Sequence, residues 1–302
     1  MKEVEDELLE LGVPVKTRHN EVAINQFEFC PLFLEAGKTI DQNMILMEIL
    51  KEAFARRGYE VLLHEKPFLN MNGSGKHHNW SLNYIDKDGN IVNLFKVPKA
   101  GQDTTLFKLF VLINLAAVAN NNKLYMGAIG ANGNELRLGG HEAPPRIISV
   151  FLGSAVSDVI DNKEPANLLN LKETLPNVTY DLYQENTDRN RTSPYAYTGN
   201  KFEVRAAGAS QNPSFIMATI AATIASEVEK VRARLDNGES LESIMADLHA
   251  RTQNIRFDGN GYSEEWPIEA ERRGLYVNKK FSEILTNLPE ASKVFVEIGA
   301  LE

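Results

Sequence analysis

Apolar residues recur at helical spacing in some stretches of the chain and alternate with polar ones in others, so the pattern predicts helices and strands interleaved from end to end. Val4 to Leu11 reads as a short amphipathic helix closed by Gly12, and Val13-Pro14-Val15 restarts the chain in extended form. His19 to Phe29 has strand composition. Asp41 stands as the N-cap of a helix running to about Arg57, with Gly58 past its end, and Tyr59 to His64 reads as a buried-type strand. Thr105 to Ala119 has helical spacing and stops at Asn120-Asn121-Asn122, and Ile147 to Ile160 resumes a helical pattern. Lys201 to Ala206 is a strand. Asn212-Pro213 opens an Ala-rich helix to about Leu235, whose Ala218, Ala221 and Ala222 permit close packing. Leu241 to Arg251 is a second helix, acidic early and basic late as the helix dipole favours. With no repeat, low-complexity tract or linker, one α+β domain over residues 1–302 is the simplest account.

One stretch breaks the apolar patterning and carries chemistry: Asn72-Gly73-Ser74-Gly75-Lys76-His77-His78-Asn79-Trp80-Ser81-Leu82. Gly73 and Gly75 can take positive φ and approach a ligand closely. From His77 onward the residues alternate, so His77, Asn79 and Ser81 share one strand face and His78, Trp80 and Leu82 the other. A Gly-rich turn entering an edge strand has the same appearance. Glu21 and Glu28 are seven apart; in one straight strand they would face opposite ways, roughly 23 Å from each other. They can share a hard divalent cation only if the chain reverses near Ile24 to Gln26. Glu203 and Arg205 share a strand face, as a metal ligand beside an anion clamp or as an ordinary ion pair. Arg137 and Arg191 sit in segments that read as irregular and could reach a phosphate or carboxylate. Glu142, stiffened by the following Ala143-Pro144-Pro145, suits a lid-borne base. His19, His64 and His141 are weaker candidates, and His249 reads as surface.

Composition narrows the classes. Against 41 acidic residues stand 32 basic ones, and the formal charge of −9 argues against a general nucleic-acid surface and suits cation binding. The single cysteine, Cys30, lies among apolar neighbours and reads as a small core residue; it excludes an intrachain disulfide and points to a reducing, cytoplasmic setting. The apolar run Leu109 to Ala119 is about half the length that crosses a bilayer, so no membrane partner is expected. Gly-x-Ser-x-Gly is absent, and Gly73-Ser74-Gly75-Lys76 lacks the upstream glycine of a Walker loop. Phosphoryl chemistry here would have to run on metals and arginines.

Taken in order, Glu21-Val22-Ala23 with Gln26-Phe27-Glu28, then Asn72 to His77, Arg137-Leu138-Gly139 with Glu142-Ala143-Pro144-Pro145, Asn190-Arg191-Thr192 and Lys201-Phe202-Glu203-Val204-Arg205 resemble the catalytic domain of glutamine synthetase. Gly-Lys-His, Glu-Ala-Pro-Pro and Gly199-Asn200-Lys201-Phe202-Glu203 are similar to the type III branch. The resemblance implies a curved, mainly antiparallel sheet flanked by helices. It also implies ATP-dependent ligation of ammonia to L-glutamate through γ-glutamyl phosphate, with two or three Mg²⁺ or Mn²⁺ per site. Glu21 and Glu28 match ligands of one metal, and His77 and Glu203 match ligands of another. Asn72 and Gly73 match the glutamate-binding loop, and Arg137 the arginine that holds the substrate carboxylate. Glu142 matches the flap glutamate, and Arg191 and Arg205 the arginines that stabilise the transferring phosphate. Ser81 and Phe33 match nucleotide contacts, and Asn79 stands where many relatives carry a nucleotide-contacting histidine. Sites between neighbouring subunits of a homo-oligomer are implied as well. The family's N-terminal β-grasp domain, with its Glu-x-Glu strand, and the type III C-terminal region have no expected counterpart. The chain is thus read as part of a longer architecture or a natural short form. A catalytically incomplete homologue acting as an assembly or regulatory module, or a ligase for another amine, is the alternative.

Overall fold

The structure, a computed structural model, describes residues 1–98, 102–140, 143–163, 192–277 and 280–301. Its centre is a helix apolar on every side, α3 (Thr105–Asn120), in which Phe107, Leu109 and every residue from Val111 to Val118 are buried. A helix of that kind is stable only inside a core. Against it pack the long helix α7 (Ser214–Asp236) and α8 (Leu241–Arg251), while α4 (Asn122–Ala128), α5 (Asn132–Arg137), α6 (Ser154–Ile160) and α9 (Trp266–Arg272) fill the remaining sides. Two short C-terminal helices follow, α10 (Leu288–Ala291) and α11 (Lys293–Glu297).

Beside the helices lies a four-stranded sheet, β3 (Gly75–Trp80), β8 (Phe202–Gly208), β7 (Tyr195–Tyr197) and β6 (Val150–Phe151) in that spatial order. The first two pairings are antiparallel and β6–β7 is parallel, so the expected α+β class and mainly antiparallel sheet are found. The curved sheet expected takes the form of an open, uncurled one. Trp80, Phe95, Tyr195 and Phe202 meet on its inner face, Trp80 and Phe202 stacked at 5.9 Å. A small hairpin, β4 (Asn83–Ile85) and β5 (Ile91–Asn93), closes through a turn over Asp86–Asn90.

The N-terminal part builds a satellite. Helix α1 (Lys2–Glu10), the hairpin β1 (Val15–Asn20)–β2 (Phe27–Pro31) and α2 (Ala36–Ala55) bury Val4, Leu8, Val13, Leu46 and Ala53 in a small core of their own.

Several expectations are corrected. Helix α2 begins at Ala36, five residues before Asp41, because nothing in Ala36-Gly37-Lys38-Thr39-Ile40 stops a helix that Leu46, Met47 and Ala53 anchor downstream. Tyr59 to His64 is irregular, and Tyr59 and Leu62 face solvent: β composition without a hydrogen-bonding neighbour makes no strand. Ile147 to Ile160 divides into strand β6 and helix α6 at Gly153, whose φ of +78° breaks the run. Cys30 is exposed on β2 rather than in a core. His249 is no idle surface group, since its Nε2 lies 2.9 Å from Asp161 Oδ1.

Candidate active site

The chain does reverse between Glu21 and Glu28. Asn20 pairs with Phe27 and His19 with Glu28 across the β1–β2 hairpin. Its turn is closed by the Glu21 N–H donating to Gln26 O (2.9 Å) and the Gln26 N–H to Ala23 O (3.1 Å), with Asn25 left-handed at φ +59°. Asparagine tolerates that conformation better than most residues. The odd spacing therefore brings the carboxylates together instead of opposing them. His19 Nε2 stands 2.9 Å from Glu21 Oε1 and 3.3 Å from Glu28 Oε2, and a ligand atom from each of the three lies within 4.8 Å of the others. Burial pushes the Glu28 carboxyl up to about 7, and contact with Glu21 adds to that. Burial acts upward on Glu21 too, but hydrogen bonds with Glu28 and His19 leave it below its ordinary value. Two carboxylates in contact share a proton or a cation. Carboxylate oxygens beside an imidazole are a donor set that a divalent cation such as Mn²⁺ fits.

The second pair of candidates sits on neighbouring strands. Asn79 faces Glu203 and Trp80 faces Phe202, but the register slips one residue further along, so that Arg205 and Ala206 of β8 together oppose His77. A bulge of this kind turns side chains out of the regular alternation. His77 Nδ1 lies 3.3 Å from Glu203 Oε1, and Arg205 donates to the same oxygen from Nε at 2.6 Å. The ion pair is thus made within one strand. Desolvation by the surrounding protein lowers the His77 ring below its ordinary value although its edge reaches solvent, opposed by Glu203, and so keeps a lone pair available on a neutral imidazole. The alternation read along β3 holds: His77 and Asn79 are exposed, while Trp80 is buried.

Between the two pairs runs the Gly-rich loop. Gln26, in the hairpin turn, donates from Nε2 to Gly73 O at 2.8 Å and so ties the hairpin to the loop. The positive φ expected of Gly73 and Gly75 is not found at either. Their smallness serves Arg137 instead: a Cβ on Gly75 would collide with its guanidinium, and one on Gly73 with its side-chain stem and with Glu65 O. Arg137 ends helix α5 rather than lying in an irregular segment, and it is buried. Nη1 donates to Ala207 O and Asn134 Oδ1, both at 3.0 Å, and Nη2 to Arg205 O at 3.0 Å. Burial lowers its pKa to about 10, against the opposing pull of Glu65.

Asn72 is half-buried at the loop's tip. Asn79 is exposed on β3, and Ser81 follows it, accepting from Asn83 Nδ2 at 3.4 Å. The Phe33 ring is 84% exposed and makes no aromatic contact among the described residues. Glu142, Arg191 and His141 lie outside the described residues. Glu65 and Asn134 have no role in the sequence pattern, and Gln26 enters it only as part of the expected reversal. An acid set in the apolar run before Pro67 was a signal for Glu65; for Asn134 there was none, since its hydrogen bonds to Ile129 O and Ala206 O depend on the tertiary fold.

The chain is similar to known proteins along most of its length. Residues 1–111 match the family model described as glutamine synthetase, catalytic domain, and residues 240–301 the one described as glutamine synthetase C-terminal domain. The expectation that the C-terminal region has no counterpart is corrected by the second match. A glutamine synthetase of Bacteroides fragilis is 41% identical over 91% of this chain, and a type-3 glutamine synthetase of Dictyostelium discoideum is 37% identical over 100% of it. The chain spans 39% and 42% of the lengths of these two relatives. Among solved structures, Plasmodium falciparum glutamine synthetase aligns at a TM-score of 0.54 with 17% identity, covering 75% of this chain and 37% of the other. A structure described as apo GmaS aligns at 0.59 with 16% identity, covering 99% and 55%. Fold, motif order and sequence agree, and the chain belongs to the glutamine synthetase family.

Proposed function

We propose that this chain carries the catalytic part of an ATP- and divalent-metal-dependent ligase that joins ammonia to L-glutamate through γ-glutamyl phosphate. The observation that carries the reading is the β1–β2 reversal, which sets Glu21 and Glu28 side by side. The hairpin is fastened to the loop that leads into His77. In this reading Glu21 and Glu28 hold one cation, and His77 with Glu203 a second. Bound Mg²⁺ or Mn²⁺ would supply neutralising charge for the nucleotide phosphates and the phosphoryl group in transfer. Asn72 and Gly73 position L-glutamate. Arg137 takes its carboxylate, giving up one of its present acceptors, and Arg205 meets the transferring phosphate from beside Glu203. Phe33, Asn79 and Ser81 are assigned to the nucleotide, and Glu142 and Arg191 to the flap and the phosphate. Such a site needs fixed positive charge more than a nucleophile, because the reacting partners are both anions.

A second reading, a homologue that binds metal and nucleotide but serves assembly or regulation, draws support from Arg137, whose guanidinium is already satisfied by protein acceptors. Titration with Mn²⁺ and a non-hydrolysable ATP analogue separates the two from a chain without the site. Wild type is expected to bind the nucleotide only with metal present. Glu203→Ala is expected to abolish that binding, with Glu203→Gln as the control for loss of the Arg205 ion pair. Unchanged affinity in both variants refutes the metal assignment, and turnover of L-glutamate and ammonia to glutamine in the wild type refutes the second reading.

A further inference from the structure

Glu65 is a carboxylate with no part in the chemistry above, and it is 2% exposed. It stands at the neck of the loop that carries Asn72 and Gly73. Its backbone carbonyl accepts from the Ser74 N–H at 2.8 Å, closing the loop, and its neighbour Lys66 reaches from Nζ to Met71 O inside the same loop. Its side chain runs the opposite way, into the protein, where Oε1 accepts from the Ser210 N–H at 2.9 Å and from Ser210 Oγ at 2.6 Å.

The socket is built for this side chain. A Cβ on Gly133, at the start of α5, would collide with one carboxylate oxygen, and a Cβ on Gly208, at the end of β8, with the other. Two separate elements therefore leave out a side chain where the carboxylate enters. Two cations face the same region: Arg137, buried under the loop, and Lys76, whose Nζ donates to Ala209 O. Neither makes a direct ion pair with a carboxylate among the described residues, and Glu65 acts electrostatically on both. A buried cation without a counter-charge moves toward water.

We propose that Glu65 is a positioning residue, which holds the loop 65–75 closed and keeps Arg137 folded beneath it, and so sets the affinity of the amino-acid site without touching its ligand. The second half of that statement rests on the ligase reading; the first half does not. Glu65→Gln keeps the volume and an acceptor for Ser210 but removes the charge. Glu65→Asp keeps the charge. Three readouts apply to the whole chain: the rate at which phenylglyoxal labels Arg137, followed by peptide mass spectrometry; L-glutamate affinity by calorimetry; and Mn²⁺-dependent binding of the ATP analogue.

Glu65→Gln is expected to label Arg137 at least about tenfold faster and to weaken L-glutamate by about tenfold, the size of effect typical when a supporting partner is lost. Nucleotide binding should stay within about twofold, and Glu65→Asp should recover most of both losses. Ser210→Ala, which removes one hydrogen bond to the carboxylate, should shift labelling in the same direction by a smaller factor and serves if Glu65→Gln does not fold. Unchanged Arg137 labelling in Glu65→Gln and Ser210→Ala overturns the proposal. Equal loss of glutamate and nucleotide binding also overturns it, since that marks a general structural role. If wild type binds no L-glutamate, the ligase reading fails, and the labelling rates alone decide whether Glu65 positions Arg137.

Discussion

Asp161, just past helix α6, collects three side chains, His249 and Arg256 from distant parts of the chain and Lys163 from two residues on. Arg256 donates to Oδ1 from Nη1 at 2.6 Å, His249 Nε2 faces the same oxygen at 2.9 Å, and Lys163 lies 3.3 Å from Oδ2. The hydrogen bond from Arg256 holds its carboxyl well below the usual carboxylate range, with His249 and Lys163 adding to it and partial burial opposing. The folded state favours the charged form, so the stabilisation is complete above the ordinary carboxylate range near pH 4 and is lost as pH falls further. Asp161→Asn is expected to lower the unfolding free energy by about 1.5–3 kcal/mol at neutral pH. That gap should narrow progressively as pH falls below 4. Denaturant unfolding of both proteins across pH checks it, and a gap as wide at pH 2 as at neutral pH contradicts the charge argument. The glycines beside Arg137 illustrate a different residue-scale effect. In the sequence Gly73 and Gly75 suggest positive φ and close approach to a ligand, whereas the structure uses them for the room their missing side chains leave.

At the scale of elements, the β1–β2 hairpin decides whether Glu21 and Glu28 act together. Its turn depends on Asn25 in the left-handed region. A β-branched residue there pays about 1–2 kcal/mol that glycine does not. Asn25→Gly should therefore leave Mn²⁺ affinity close to wild type, and Asn25→Val should weaken it several-fold by opening the turn. Calorimetric titration of Mn²⁺ into both variants measures this, and equal affinities would show that the hairpin geometry does not govern the cation. The bulge in β8 does comparable service for the other pair, placing Arg205 and Glu203 against His77. One device is a turn between strands and the other a bulge within one, and both lie beside candidate ligands.

Across the whole molecule, stability is divided between unequal cores. The main one surrounds α3 and the aromatic face of the sheet, while α1, β1 and α2 share a small one. The N-terminal unit, which carries Glu21 and Glu28, should open independently of the rest. Leu8, fully buried in the small core, tests this. Leu8→Ala should cost about 2–5 kcal/mol where it acts. Hydrogen exchange should speed up in α1 and α2 and stay slow in α3; uniform acceleration would show a single cooperative unit. No helix among the described residues is long and apolar enough to cross a membrane.

Periodicity made much of this legible. Helices α3, α7 and α8 lie within a residue or two of where apolar spacing put them, because a helix with a wide apolar stripe has few other ways to bury it. Alternation along β3 read correctly for the same reason, and the odd spacing of Glu21 and Glu28 reduced their role to one geometric question, whether the chain turns back. Only the tertiary structure could answer it, since a left-handed asparagine and two turn hydrogen bonds leave no periodic trace. It also refused a strand to Tyr59 to His64, which found no partner. The Glu65 socket was least legible. Gly133, Gly208 and Ser210 meet Glu65 across separations of 68 residues or more, and a carboxylate's surroundings at that range are set by packing rather than by its neighbours in sequence.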